Sequence, residues 1–323
     1  MRTLTTRKSL SRLIRERAMQ DEQMAGMLAR YGGMPAFFYQ KSPRDSRPEW
    51  GAGKYPRADF TVDTRQDPER NAAGTLTANI WVTTECPPIG EQDPDRAIEE
   101  RLIDLMSGTF FQSRDMGTVC ISWDRSWPFD YEGGNSLQDT VPEVFGVTAT
   151  FDLLAFPEQA TFSPDPIAGL NAWTRLNFPG MRIIGYDRME DAWKPTDENP
   201  AIYWRFEGTA STARQSYAVT WYDGTFAAHI IAGTVQERNR WTKAIIERAQ
   251  ADGEVILDDE SPMFIQRIEI HHGADELREG QMKLIGRYGA LSSAMRERAA
   301  QPINNLIEER EGGPISWMKP GTP

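Results

Sequence analysis

Residues 123–132, with the sequence WDRSWPFDYE, combine carboxylates with aromatic rings, a mixture that two kinds of chemistry use. Glycosidases cleave sugars with two carboxylates beside side chains that stack on the sugar ring, and the separation of the carboxylates determines the outcome. Aromatic side chains also anchor protein interfaces, because they bury a large area at a small cost in conformational entropy. Since the sequence gives no separation for a carboxylate pair, we favour an interface or local packing over catalysis or sugar binding.

The same segment is acidic, and we predict that it forms a loop. Between positions 124 and 143, five acidic residues stand against Arg125 alone, a net charge of −4 that also suits the wall of a charged opening. The residues that we assign to a candidate interface or channel wall are Trp123, Asp124, Trp127, Asp130, Tyr131, Glu132 and Asp139.

Other motifs that carry chemistry are incomplete. Residues 51–55 (GAGKY) resemble the end of a phosphate-binding loop, but Pro48 and Tyr55 stand where that loop needs a glycine and a Ser or Thr. His271 and His272 are adjacent, so on a strand they point to opposite faces and do not easily bind one metal ion. The sequence contains neither G-x-S-x-G nor H-E-x-x-H. We therefore predict no catalytic residue, no cofactor and no metal site.

An internal repeat organises the elements that position these residues. Residues 30–39 run from an arginine through a Gly-Met pair to a tyrosine, and residues 175–186 repeat that order at offsets of 145 to 147. A charged loop and a strand follow, entered by Tyr55-Pro56 in the first half and by Asn199-Pro200 in the second. Each half then offers an alternating strand, a helix and two closing strands. We predict the closing strands over residues 119–123, 144–156, 263–271 and 281–291.

The helices of the repeat are marked by their ends and by apolar periodicity. An i, i+3, i+4 pattern predicts one long opening helix over residues 10–31 in the first half. Residues that favour helix caps and first turns mark the other helices: Asp93, Pro94 and Gly108 in the first half, and Asp165, Pro166, Thr234, Glu237 and Gly253 in the second.

The order of these elements predicts an α+β fold of two tandem similar domains, each a mixed or antiparallel sheet flanked by helices. The length of 323 residues also favours two domains. The alternative is a coincidence between two ordinary α+β domains. The predicted units are a basic helical extension over residues 1–19, domains over 20–157 and 167–291 with a linker over 158–166, and a helical extension and tail over 292–323.

Composition and charge argue against several classes of protein. Of the net charge of −11, residues 1–17 contribute an excess of five positive charges, which leaves −16 on the remainder. Such a body repels phosphate, so only the basic N-terminal segment suits an anionic partner. Two cysteines, Cys86 and Cys120, argue against a disulfide scaffold and suit a reducing cytoplasm. The sequence has no apolar run of about 20 residues and no secretion-signal pattern, so we expect neither membrane spanning nor secretion.

The repeated unit resembles the tail terminator, or tail completion, proteins of long-tailed bacteriophages. The matching features are an N-terminal helix that ends in a glycine turn, the Tyr55-Pro56 strand entry, an alternating strand over residues 76–82, a helix with an acidic start over 93–106 and a final strand pair over 144–156. The resemblance covers residues 8–157 and, less faithfully, 165–291. It implies a ring that caps the tail tube and joins it to the head and neck, with no catalytic residues.

The resemblance also implies partners and a location. These are further copies of the chain, the tail tube protein, a head-tail connector or neck protein, and DNA that passes without specific binding, in a virion assembled in the host cytoplasm. Ordinary terminators carry one unit per chain, so two units allow a trimer with six units or a hexamer with a second tier. The alternatives are another neck or tail-tube-like protein, or a sugar-binding or hydrolytic virion module built on residues 123–132.

Overall fold

A computed structural model describes residues 7–51, 53–65, 70–131, 143–159, 161, 163–211 and 219–291. Five α-helices lie in these ranges, and three of them begin at a residue whose side chain accepts a hydrogen bond from the first helical turn. Asp165 and Thr234 accept hydrogen bonds from the first-turn backbone of their helices, and Gly253 ends the longest helix with a left-handed φ of 69°. The helices are α1 (Leu10–Gln20), α2 (Glu22–Met27), α3 (Pro94–Met106), α4 (Pro166–Asn177) and α5 (Val235–Asp252).

Fifteen strands lie in the described ranges, and most are built from alternating apolar and polar residues. Those of the first half are β1 (Arg30–Tyr31), β2 (Met34–Pro35), β3 (Phe37–Tyr39), β4 (Arg57–Thr64), β5 (Gly74–Thr83), β6 (Thr109–Ser113), β7 (Gly117–Tyr131) and β8 (Val144–Ala155). Those of the second half are β9 (Arg182–Ile183), β10 (Ala192–Trp193), β11 (Ala201–Ser211), β12 (Val219–Ile231), β13 (Glu254–Ile256), β14 (Pro262–Ile270) and β15 (Met282–Leu291).

Two sheets repeat one topology. The first has the order β10-β6-β7-β8-β5-β4-β3 and the second the order β13-β14-β15-β12-β11-β9. Without β10, the strands correspond one to one: β3 and β4 are parallel, as are β9 and β11, and every other neighbouring pair in both sheets is antiparallel. Helix α3 follows β5 and helix α5 follows β12, and each of these strands is the third of its sheet in chain order. The chain is thus an α+β fold of two tandem similar sheet domains flanked by helices, as predicted.

Each sheet has an inner face that packs against its own helices. In the first domain, apolar residues of α1, α2 and α3 join those of β4, β5, β7 and β8 in one core. In the second domain, α4 and α5 pack in the same way on β11, β12 and β15. Leu10, Leu13 and Ile14 are fully buried in the first core, so α1 belongs to the first domain rather than to an extension.

A third core lies between the outer faces of the two sheets and contains no helical residue. The first domain contributes Phe110, Cys120, Leu154 and Phe156, and the second contributes Ile184, Met189, Trp193, Ala201, Tyr203 and Ile231. Strand β10 of the second half also pairs with β6, which extends the first sheet by one strand. Sheet faces and a strand edge therefore join the two domains within one chain.

Three expectations about the elements are corrected. The long opening helix breaks at Asp21, whose extended backbone ends α1 and whose carboxylate accepts a hydrogen bond from the Met24 N–H to begin α2. Residues 123–131 form part of β7 rather than a loop. The short strands β6 and β13 precede the two closing strands that we predicted in each half. The predicted extension over residues 292–323 lies outside the described residues.

None of the helices in the described ranges is long and apolar enough to cross a membrane.

Candidate functional site

The candidate segment forms an extended ribbon of β7 and β8, and it presents tryptophans on both faces. Trp127 lies opposite Thr148, and Trp123 lies opposite Phe151, whose side chain is in the first core. The two tryptophans are 42% and 43% exposed, so both are accessible for contact. Tyr131 ends β7, but only its backbone is described, and Glu132 and Asp139 lie outside the described residues.

The two described acids of the segment cannot act as a glycosidase pair. Asp124 and Asp130 are both exposed and lie six positions apart on one strand. A strand rises about 3.3 Å per residue, so their backbones are roughly 20 Å apart. Retaining and inverting glycosidases need their carboxyl groups about 5 to 9.5 Å apart. The arrangement instead spaces two isolated negative charges along an accessible ribbon.

A row of polar side chains crosses the outer face of the first sheet and ends at Trp127. Asp59 on β4 is opposite Asn79 on β5, which is opposite Thr148 on β8, which is opposite Trp127. The Asn79 amide donates to Asp59 Oδ1 at 3.1 Å, and the Thr148 hydroxyl donates to Asn79 Oδ1 at 2.9 Å. The row is continuous, and hydrogen bonds fix the orientation of each polar side chain in it.

Asp59 begins this row and is only 7% exposed. Its second oxygen accepts hydrogen bonds from the Ser42 hydroxyl at 2.9 Å and from the Trp81 indole at 3.0 Å. Trp81 in turn packs edge to face on Phe129 of β7, with ring centroids 4.8 Å apart. Three donors thus compensate the burial of one carboxylate and hold an aromatic pair beside it.

Arg57 adds a cation to the same face, two residues before Asp59 on β4. Its guanidinium lies 4.4 Å from the centre of the Tyr55 ring and 5.4 Å from that of Trp50, and it binds Asp45 at 2.6 Å. The face therefore carries rings and charges of both signs rather than a purely acidic surface.

The other motifs do not join this surface. Gly51 and Gly53 are exposed in the loop before Tyr55. His271 and His272 follow the end of β14, and His271 Nε2 lies 3.9 Å from a Glu269 carboxylate oxygen. In the described part of the chain, no three His, Cys, Asp or Glu side chains are grouped so that they could hold a metal ion.

Sequence reasoning singled out residues 123–132 but took them for a loop, and it missed the polar row. The signal was present, because Asp59 and Asn79 are polar residues that alternate with apolar neighbours on strands, but the pairing that joins them is tertiary. Comparisons of the chain with family models, with curated proteins and with solved structures give no match. What the described surface offers is hydrogen bonds, ring contacts and charge, which suit recognition of another macromolecular surface.

Proposed function

We propose that the chain is a structural protein of a tailed phage particle. In this role it forms a ring that ends the tail tube, joins the tail to the head and neck, and leaves a channel for DNA. It acts by assembly rather than by catalysis, and its partners are other copies of itself, the tube protein and a connector or neck protein. Residence in the virion, after assembly in the host cytoplasm, follows from that role.

The observation that carries the proposal is the contact between two copies of one fold within the chain. The first domain contributes the outer face near β6, β7 and β8, whereas the second contributes β10 and the start of β11. A contact between unlike patches of like units is heterologous, and such contacts close into rings when the rotation permits. A duplicated subunit already contains one such contact.

The net charge of the chain supports the proposed channel for DNA. A body with −16 outside residues 1–17 repels the phosphates of DNA and favours passage over binding. Asp124 and Asp130 are exposed acids of the ribbon and are our candidates for the channel wall.

Imaging the purified protein by negative stain, together with light scattering at micromolar concentration, tests the ring. We expect closed rings with three-fold or six-fold symmetry, and particles assembled without this chain should have tubes of variable length that are not joined to heads. Monomers alone, combined with normal tails in its absence, would overturn the proposal. Binding to a glycan array by a monomer would instead support the sugar-binding alternative.

A double Asp124→Lys and Asp130→Lys variant tests the channel wall separately. We expect normal rings and slowed DNA ejection, since lumen charge acts on DNA whereas ring closure depends on subunit contacts. Normal ejection from normally assembled particles would remove these two acids from the channel.

A further inference from the structure

Within the chain, the first domain binds the second domain through its outer face and the edge of β6. We propose that the second domain uses its own equivalent surface to bind the first domain of a neighbouring copy. This inference deepens the proposed function, since it names the surfaces by which a ring of this chain closes. Three features carry it: an open strand edge, exposed apolar side chains beside that edge, and a docking face whose equivalent is used within the chain.

The two domains can be aligned residue by residue through their strand registers. Phe60 pairs with Ala78 in the first domain, and Trp204 pairs with Ala228 in the second; all four side chains face the inner cores. The following residues, Asn79 and His229, therefore occupy equivalent places on the outer faces. The same register makes β6 the equivalent of β13.

The edge of β6 is filled within the chain. The backbone groups of Phe110 and Gln112 face β10. Phe110 is the register partner of Trp193, and the Gln112 N–H donates to the Asp191 carbonyl at 3.1 Å. Beside this edge, Phe110 and Cys120 are fully buried under the second domain. We call this edge with its neighbouring outer face the receiving face of the first domain.

The equivalent edge of β13 carries no strand in the described part of the chain. The Ile265 N–H donates to the Gly253 carbonyl and the Leu257 N–H to the Ser261 carbonyl, so residues 253 and 257 turn toward β14. By the alternation of an antiparallel pair, Glu254 and Ile256 direct their backbone groups away from β14, and on that side the Ile256 carbonyl lies close to Gly169 of α4 while the Glu254 end of the edge is open. An open edge of this kind is a ready site for a further strand.

Exposed apolar side chains lie beside the open edge. Ile256 is 52% exposed, and Phe264, at the position equivalent to buried Cys120, is 40% exposed. Both lie on the outer face, as diagonal neighbours on adjacent strands. The receiving face of the second domain thus carries accessible apolar side chains beside the exposed Glu254 and Arg287, whereas that of the first is apolar and buried.

The occupant of this face follows from what fills its counterpart. Within the chain, the receiving face of the first domain is covered by Ala201, Tyr203 and Ile231 and by the segment between β9 and β11. The equivalent positions of the first domain are Arg57, Trp81 and the buried Asp59, with the segment between β3 and β4. We call this surface the docking face, and a second copy of the chain brings it to β13 in the head-to-tail sense that a ring requires.

Substitutions on each face test the assignment in the full-length protein. Ile256→Lys places a charge beside the open edge, and Trp81→Lys places one on the docking face. Leu176→Lys, at an 81% exposed residue of α4, and Val235→Lys, at a 60% exposed residue of α5, are matched controls. We expect each face variant to weaken self-association at least tenfold in sedimentation velocity, with both controls unchanged and all four variants folded by circular dichroism.

Mixing the two face variants then tests the head-to-tail geometry. Ile256→Lys retains its docking face and Trp81→Lys its receiving face, so native mass spectrometry should detect a one-to-one dimer and nothing larger. Rings of Ile256→Lys equal to wild type would overturn this interface and leave the ring itself intact. Wild-type protein that stays monomeric at every concentration would overturn both the interface and the proposed function.

Discussion

The outer faces of the two sheets occupy equivalent places in a repeated fold, yet they are built from different chemistry. In the second sheet, Tyr203 and His229 are buried, and their rings pack near Phe156 of the first domain. In the first sheet, the equivalent positions hold Asp59 and Asn79, joined by a hydrogen bond. The inner face is apolar in both domains because it packs against the helices of its own domain. The outer faces differ in chemistry because each contacts a different surface.

The strand edges differ in the same way. The edge of β6 is extended by β10, and ion pairs flank that junction, with Lys8 bound to Asp191 at 3.1 Å and Lys194 to Asp104 at 3.6 Å. The edge of β13 keeps an open end at Glu254 and an exposed isoleucine. One domain therefore shows the edge occupied and the other shows it available.

Phe156→Ala should break the junction of the domains most severely. The ring is fully buried between the sheets and packs edge to face on Phe110 and Tyr203, at 5.0 and 5.1 Å. Removal of such a ring leaves a cavity, so we expect a loss of about 3–5 kcal/mol in the free energy of unfolding, measured with urea. Trp127→Ala, at an exposed ring, should cost less than about 1 kcal/mol. A loss below about 1 kcal/mol for Phe156→Ala would contradict the third core.

Asp59→Ala should have the next largest effect, because it removes the buried acceptor of the polar row on the first outer face. It leaves the donors of Ser42, Asn79 and Trp81 without their acceptor, so we expect about 2–3 kcal/mol of destabilisation. Tyr203→Phe at the equivalent position removes a hydroxyl that donates to the Pro157 carbonyl at 3.0 Å and should cost about 1 kcal/mol. Equal losses in urea melts of the two variants would contradict the distinction between the outer faces.

Long periodic elements and caps of this fold were predictable from the sequence. Helices α3, α4 and α5 begin and end close to the predicted residues, since proline, capping side chains and glycine act locally. The prediction of one long opening helix was wrong. The apolar pattern continues across Asp21, but the Asp21 carboxylate caps the start of a new helix. The strands β6 and β13 have five and three residues, too few for a period to be read.

The candidate surface was only partly predictable, and the reason is the position of β7 in the sheet. Pro128 and the bulge between Trp123 and Arg125 interrupt the alternation that would have indicated a strand. Strand β6 pairs only with residues 117–121, so the rest of β7 is an edge, where a proline is tolerated. The row from Asp59 to Trp127 needs the order of four strands, which no local pattern contains.

Asp21→Asn, compared with a substitution at the cap of α4, should have a smaller effect on the free energy of unfolding, and that effect should depend on pH. Asp21 caps α2 and binds Arg101, and that pair, chiefly through its hydrogen bonds, lowers the pKa of the Asp21 carboxyl below its ordinary 3.8. The stabilisation is therefore complete above about pH 4 and is lost as the pH falls through the lowered pKa.

We expect Asp21→Asn to cost about 1–2 kcal/mol at pH 7, with the difference from wild type narrowing below pH 4. Asp165→Asn at the cap of α4 should cost less than about 0.5 kcal/mol, because asparagine caps as well as aspartate. Urea melts at pH 7 and at pH 3 measure both variants. A difference for Asp21→Asn that widens in acid would reverse the sign and refute the ion pair as its cause.

Gly253→Ala should have the smallest effect on stability, and it compares the C-terminal end of α5 with that of α3. Gly253 has a φ of 69° and lies directly after α5, whereas Ser107 at the end of α3 has a φ of −67°. A side chain added at Gly253 meets no atom within 4 Å, so only backbone strain opposes it, and we expect about 1 kcal/mol of destabilisation. Asparagine tolerates this backbone better, so Gly253→Asn should fall between alanine and wild type. Gly208→Ala, which has open space and no positive φ, should be close to neutral. Thermal melts should rank the variants in that order, with a shift of about 2 °C for Gly253→Ala; equal midpoints for Gly253→Ala and Gly208→Ala would contradict a left-handed cap.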